Sequence, residues 1–197
     1  MDDASDRRTN RTRAALKSAL VELILEKGYG SITIVDIANR ADYNRGTFYK
    51  HYLDKDDLLA AIKFEILREL SDALLAPYEG LDRVDADKIF PSTLRLLQHI
   101  EQHRDSFVAM ISANKEFYYD IYNMLRNSMK NDMHIVINDT KEQIDYEIML
   151  SYRMSAFVGV IMYWVETGFK YSANYMAEQV LIQVNRSLDY IEFNMPG

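Results

Sequence analysis

The strongest constraint on the fold lies between Leu16 and Leu59, where four helix signatures follow one another, each set off by helix-punctuating residues. Leu16, Ala19, Leu20, Leu23 and Ile24 fall at i, i+3, i+4, i+7 and i+8, one face of an amphipathic helix. Gly28 and Gly30 then end it, because glycine takes left-handed backbone after a helix without a steric penalty. Thr33 caps a second helix, with Asp36 at the position where a capping-box side chain reaches back, although Glu or Gln is usual there. Ile34, Ile37, Ala38 and Ala41 repeat the helical spacing, so this helix is short and lies on the first. Asn44 is the next capping residue, and residues 45–51 make about two turns of a third helix. Asp54 caps a fourth, from Lys55 to about Leu75, with Asp56 and Asp57 in the first turn, where carboxylates meet the positive end of the helix dipole. Three short capped helices, with a tight turn between the second and third, have helix-turn-helix geometry.

The clearest break in the chain is Ala-Pro-Tyr-Glu-Gly at residues 76–80. Beyond it no strand alternation of any length occurs. Phe90, Leu94 and Leu97 predict a helix ending near His103, and residues 107–111 a short one. Tyr118, Ile121, Tyr122, Leu125 and Met129 mark another. A long helix is expected from about residue 141 to Thr167, closed by Gly168, and a last one from Tyr175 to Phe193. With only 3 Pro and 7 Gly, a turn-rich β fold is excluded. The expected class is all-α, with a three-helix helix-turn-helix domain over residues 1–55, a connecting helix and linker over 56–80, and a larger helical domain over 81–197.

The absence of cysteine excludes disulfides and thiolate zinc sites. The first residues are charged where a signal peptide needs an apolar core, and the longest wholly apolar run, residues 156–165, is too short to span a bilayer. A cytoplasmic protein without membrane contact is the expectation. The net charge of -7 argues against a nucleic-acid binder only until its distribution is considered. Residues 7–55 hold ten Lys/Arg against five Asp/Glu, a local +5, while the acidic excess sits in the remainder. A polyanion feels the field within a Debye length of roughly 10 Å, not the molecular sum. Arg7, Arg8, Arg11 and Arg13 form either a phosphate-binding arm or a frayed terminus, with a modest electrostatic role expected.

In the third helix Phe48 is expected to face inward onto Ile37 and Ala41. Arg45, Thr47, Tyr49 and Lys50 then spread around the exposed side, and Gly46 admits close approach of backbone or base edges. A helix fits the DNA major groove and meets base edges with its first residues. Arg45 is suited to bidentate bonding with guanine, and Thr47 offers a hydroxyl and a methyl. Lys50, Tyr49 and His51 are placed to hold phosphates, as is Thr33, and Lys55 adds charge at the next helix start. On the residues alone, a structural bundle with an ordinary solvated face explains the same pattern equally well.

The run from Thr33 to Leu59, with Thr-Ile-Val-Asp-Ile-Ala, then Asn-Arg-Gly-Thr-Phe-Tyr-Lys-His-Tyr, then Lys-Asp-Asp-Leu, resembles the signature of the TetR family of transcriptional regulators. In that family a Thr opens the second helix, an Ile-Ala pair packs it, and Gly-Thr-Phe/Leu-Tyr-x-His-Phe forms the recognition helix. The Asn-Arg-x-Thr-Phe-Tyr-x-His-Tyr variant is similar to a branch common in Firmicutes. Asp42 stands where the turn usually has Gly, Tyr43 replaces a usual Val, and Leu53 replaces a usual polar residue. The resemblance implies a regulator, most often a repressor, binding a palindromic operator in double-stranded DNA as a homodimer. It also implies a helical domain that takes a small effector and dimerises through its last two long helices. The alternative within the same fold is a coactivator or partner-binding protein whose output depends on another protein.

The body is rich in Tyr and Met, a palette that suits a small hydrophobic or aromatic effector and equally suits plain core. Phe107, Met110, Tyr118, Tyr122 and Tyr152 are the candidate pocket. Phe157, Ile161 and Trp164 on the long apolar helix, with Val180, Val184, Leu188 and Ile191, are the candidate dimer interface. His99 and His103, at i and i+4, are placed to share a metal, but no further ligand is identifiable nearby, so no metal and no cofactor are expected. No phosphate loop, metalloprotease or nucleophile-elbow motif occurs, and no enzyme is expected.

Overall fold

The structure, a computed structural model, describes residues 2–81, 90–132 and 144–185. Among these residues the secondary structure is helical throughout, as expected. In order come α1 (Asp2–Lys27), α2 (Ile34–Arg40), α3 (Arg45–Tyr49), α4 (Lys55–Leu75), α5 (Phe90–Gln102), α6 (Arg104–Ala113), α7 (Phe117–Asn131), α8 (Tyr146–Glu166) and α9 (Ala173–Asn185). Short 3-10 turns lie at Tyr29–Ser31 and Ala76–Tyr78.

The arginine-rich start is not a frayed arm. It continues α1, because the buried stripe of Leu16, Ala19, Leu20 and Leu23 extends one turn back to the buried Thr12. The Thr12 hydroxyl donates to Arg8 O at 3.0 Å, so even this polar residue is satisfied within the helix. Gly28, at φ 75°, then turns the chain out of α1.

α2 ends in a Schellman motif. Tyr43 N–H donates to Ala38 O at 2.8 Å and Asp42 N–H to Asn39 O at 3.1 Å, with Asp42 at φ 59°. Asp thus occupies the left-handed position usually given to glycine. Arg40 locks α2 onto α1 by a fork-to-fork pair with Glu26, at 2.7 and 2.6 Å, and a further bond to Glu22 at 3.2 Å.

α4 presents Leu58, Ile62, Ile66, Leu70 and Leu74 at every fourth position and packs on α1, α5 and α7. One continuous core joins Leu16 and Phe48 at the head to Leu97, Leu125 and Trp164 in the body. α4 therefore belongs both to the N-terminal helix-turn-helix head and to the body's core.

α8 begins at Tyr146, later than expected, and residues 141–143 lie outside the described residues. By length and composition its 21 residues suffice to cross a membrane, which the shorter apolar run did not suggest. Leu150, Met154, Val158, Ile161, Trp164 and Val165 turn one side of it into the protein core. Its end is a second Schellman motif: Phe169 N–H donates to Trp164 O at 2.9 Å and Gly168 N–H to Val165 O at 3.0 Å.

Candidate nucleic-acid interface

α3 has five residues, far too few for stability on propensity alone, so its surroundings must impose it. Three devices do so. Asn44, in extended backbone, accepts from Thr47 N–H at 2.8 Å and from the Thr47 hydroxyl at 3.2 Å. Phe48 is fully buried, with its ring 5.7 Å from Tyr49 edge-on and 6.0 Å from the buried Tyr52. Asp54, accepting from Asp57 N–H at 2.8 Å, starts α4 immediately afterwards. The helix is shorter than expected: Lys50 and His51 continue as a turn, bonded to Thr47 O and Phe48 O, as the chain swings toward α4.

With Phe48 inward, the expected face does point outward. Arg45, Gly46, Tyr49 and Lys50 are exposed, and Thr47 and His51 are half-buried. Arg45 lies over the Tyr49 ring, its Cζ 5.2 Å from the centroid, and donates to Tyr49 Oη at 2.9 Å. This holds the guanidinium at the tip of the helix. A Cβ on Gly46 would sit 3.2 Å from Asn44 Oδ1, so glycine leaves room for the capping oxygen itself.

Two of the expected phosphate ligands have other partners. Thr33 closes a capping box: its N–H and its hydroxyl both donate to Asp36 Oδ2 at 2.8 Å, and its Oγ accepts from Asp36 N–H at 3.2 Å. Both Thr33 donors are therefore taken. Those bonds, with Lys27 at 3.0 Å, hold the Asp36 carboxyl at a pKa of about 2. Lys55 points inward, donating from Nζ to Tyr29 O and Ile32 O, each at 3.1 Å, with the ammonium 4.5 Å from the Tyr29 ring centroid. It clamps the 3-10 turn to α4, so most of its donor capacity is spent inside the module.

Arg13 of α1 joins the face instead. It lines one open groove with His51 and Tyr52, and burial together with Arg13 and Lys50 pushes the His51 pKa below its ordinary value. His51 is therefore a neutral hydrogen-bonding group at pH 7. The signal for Arg13 was present, since extending the α1 stripe back to Thr12 sets Arg13 on a folded helix. Leu53, which departs from the family pattern, is 81% exposed between α3 and α4.

In the body the five candidate pocket residues do not converge. Phe107 and Met110 are sealed in the core, Phe107 against Phe117 at 6.1 Å, while Tyr118 and Tyr152 lie exposed on α7 and α8. Tyr122 bonds Ser151 at 2.8 Å and lines an open surface groove between α7 and α8 with Tyr119, Arg126 and Glu147. Of the candidate dimer residues, Ile161 and Trp164 are fully buried within one chain, where Trp164 Nε1 donates to Tyr171 O at 2.8 Å. Phe157 and Val180 are half-buried and Val184 is exposed; Leu188 and Ile191 lie outside the described residues. The exposed residues of α8 are Glu147, Ile148, Tyr152, Ser155, Ala156, Gly159, Tyr163 and Glu166. His99 and His103 do meet, their ring centroids 4.5 Å apart, beside Glu69 of α4.

A capped, core-anchored helix presented after a tight turn, on an all-helical body, defines a helix-turn-helix protein of the DNA-binding transcription-regulator class. Residues 16–62 match the family described as bacterial regulatory proteins, tetR family, and residues 87–186 match a transcriptional regulator C-terminal region. The chain belongs to the TetR family. It is 23% identical over 188 residues to the uncharacterized HTH-type transcriptional regulator YxbF of Bacillus subtilis (strain 168), covering 93% of this chain and 48% of that protein. The chain thus spans about half the length of that curated relative. Its fold is similar to that of a TetR transcriptional regulator from Streptococcus agalactiae 2603V, with TM-score 0.63, 22% identity, and 94% and 100% of the two chains covered. It is also similar to the fatty acid degradation regulator FadR from Bacillus halodurans, with TM-score 0.68, 16% identity, and 91% and 97% covered.

Proposed function

We propose that the protein is a cytoplasmic, homodimeric repressor that binds a palindromic operator and releases it when a small hydrophobic or aromatic effector binds the helical body. The observation that carries this reading is the outward face of α3, with Arg45, Tyr49 and Lys50 exposed above the buried Phe48. Two such helices, about 34 Å apart, would enter successive major grooves. Arg45 and Thr47 read base edges, and Lys50, His51 and Arg13 hold phosphates. The outer face of α8 supports dimerisation, since Ile148, Tyr152 and Tyr163 are large, apolar in part and exposed in the single chain. An effector that prefers the non-binding spacing of the heads would release DNA, and DNA would weaken effector binding equally. The relatives from Bacillus and Streptococcus support a Firmicutes-type branch.

The test is selection of bound sequences by the intact protein, followed by titration of Arg45→Ala and Lys50→Ala variants on the selected operator. Arg45→Ala is expected to relax base preference, at a cost of about 1–3 kcal/mol. Lys50→Ala is expected to weaken all sequences alike. Unchanged affinity and preference in both would refute α3 as the reader.

A further inference from the structure

We propose that Glu69, His99 and His103 form a site for a divalent first-row transition-metal ion at the seam between α4 and α5. Glu69 belongs to α4, His99 to α5, and His103 lies one turn beyond His99 at the corner leading into α6. One ligand atom from each lies within 4.8 Å of the other two. The two imidazole centroids are 4.5 Å apart, and His99 Nε2 is 3.5 Å from Glu69 Oε2. Despite that proximity, the buried His99 Nε2 makes no hydrogen bond. A buried ring nitrogen without a partner is uncommon in folded proteins and calls for an explanation.

A metal ion accounts for the arrangement. A neutral imidazole offers a lone pair on one ring nitrogen, and the buried His99 Nε2 has no hydrogen-bond partner to direct it to. Around a tetrahedral ion with bonds of about 2.1 Å, ligand atoms stand about 3.4 Å apart. The His99–Glu69 pair is already at that spacing, and the exposed His103 ring needs only a side-chain rotation to close the third edge. Arg68 engages Glu69 through the other carboxylate oxygen, at 3.9 Å, which leaves Oε2 for the ion. Two nitrogens and one carboxylate favour zinc, nickel, cobalt, iron(II) or manganese over magnesium or calcium. Water would complete the coordination, with the exposed His103 side as the entry path. Glu69 is thirty positions before His99 and on a different helix, so the sequence showed the histidine pair without its third ligand.

The test is calorimetric titration of the chelator-stripped, full-length protein with Zn²⁺ and with Ni²⁺, in the absence of DNA. At least one of the two is expected to bind at one ion per chain with micromolar or tighter Kd. His103→Ala, His99→Ala and Glu69→Gln should each weaken that binding at least tenfold. His103 is exposed, so its variant keeps the fold, as circular dichroism would verify, even if the His99 variant does not. Absence of stoichiometric binding of both ions, or undiminished binding in any one folded variant, would overturn the site. Neither result bears on the DNA-reading assignment of α3.

Discussion

Replacing Asn44 by alanine and, separately, by aspartate divides the cap of α3 from the surface that α3 presents. Asn44 Oδ1 accepts two bonds, at 2.8 Å from Thr47 N–H and 3.2 Å from the Thr47 hydroxyl. Alanine removes both. The site is exposed, so water replaces the hydroxyl bond at little cost, and the loss is that of an N-cap, about 1 kcal/mol. For a chain of this length that lowers Tm by about 2–4 °C. A five-residue helix has no propensity reserve, so the deficit falls on α3 and must be restored when α3 docks. About 1 kcal/mol is roughly a fivefold loss of affinity for each head, and roughly thirtyfold for a dimer using two. Aspartate caps as well as asparagine, and its charge suits the helix N-terminus. Asn44→Asp should therefore keep the wild-type Tm while still losing operator affinity, because it sets a negative charge beside DNA phosphates. Urea or thermal unfolding followed through Trp164, with fluorescence-anisotropy titration of the operator, measures both quantities. Equal destabilisation by the two substitutions, or no change in Tm with alanine, would show that this acceptor does not hold α3.

Acid should uncouple the α2 cap. The folded-state pKa of Asp36 is depressed to about 2 from an ordinary 3.8, so its contribution is present above pH 4 and fades as pH falls from there toward 2. Asp36→Ala should consequently melt below wild type at pH 7, with the gap closing across that window in a pH series of thermal melts; a constant gap would contradict the capping role. Lys55→Met removes two charged bonds to Tyr29 O and Ile32 O, partly exposed, and should cost about 1–2 kcal/mol in chemical denaturation. The slope of log affinity against log salt should stay at its wild-type value in that variant, whereas a fall of about one unit per head would make Lys55 a phosphate ligand.

The head was legible because its devices are local. Thr33–Asp36, Asn44–Thr47 and Asp54–Asp57 each span three residues, and the Ala38–Tyr43 bond that closes the turn spans five. Side-chain chemistry at one position answers a backbone need a few positions away, and both are written next to each other. Helices of the body were legible too, since periodicity is equally local. Their partners were not. Phe107 and Met110 have the composition of a pocket wall, and the packing of α6 against α1, α7 and α8, with the Phe117 ring 6.1 Å from that of Phe107, makes them core. Residues 156–165 of α8 are apolar all round, so their pattern does not say which side faces inward. The chain buries Met154, Ile161 and Trp164 and leaves Ile148, Tyr152 and Tyr163 outside, a choice set by the helices packed against α8. Glu69 reaches the two histidines only because α4 and α5 lie side by side.

The same distinction between local and long-range partners decides how much of the head's positive charge DNA can meet. Counting residues gives the segment 7–55 a local +5, but a count does not say where each charge is spent. Lys17 faces Glu65 at 2.8 Å, Lys27 faces Asp36 at 3.0 Å, Arg40 holds Glu22 and Glu26, and Lys55 holds two carbonyls. These cations sit at the junctions of α1, α2 and α4 and keep the three helices in register. A charge paired with a carboxylate a few ångströms away has little field left beyond roughly 10 Å at moderate salt. Lys50 and Arg13, without carboxylate partners among the described residues, and Arg45, resting on a tyrosine, lie around α3 and the adjoining turn of α1. With Arg8 and Arg11, exposed further toward the start of α1, these are the cations that the head leaves facing solvent. Pairing some cations inward fixes the pose of α3, and leaving the others outward gives that pose an electrostatic direction toward DNA.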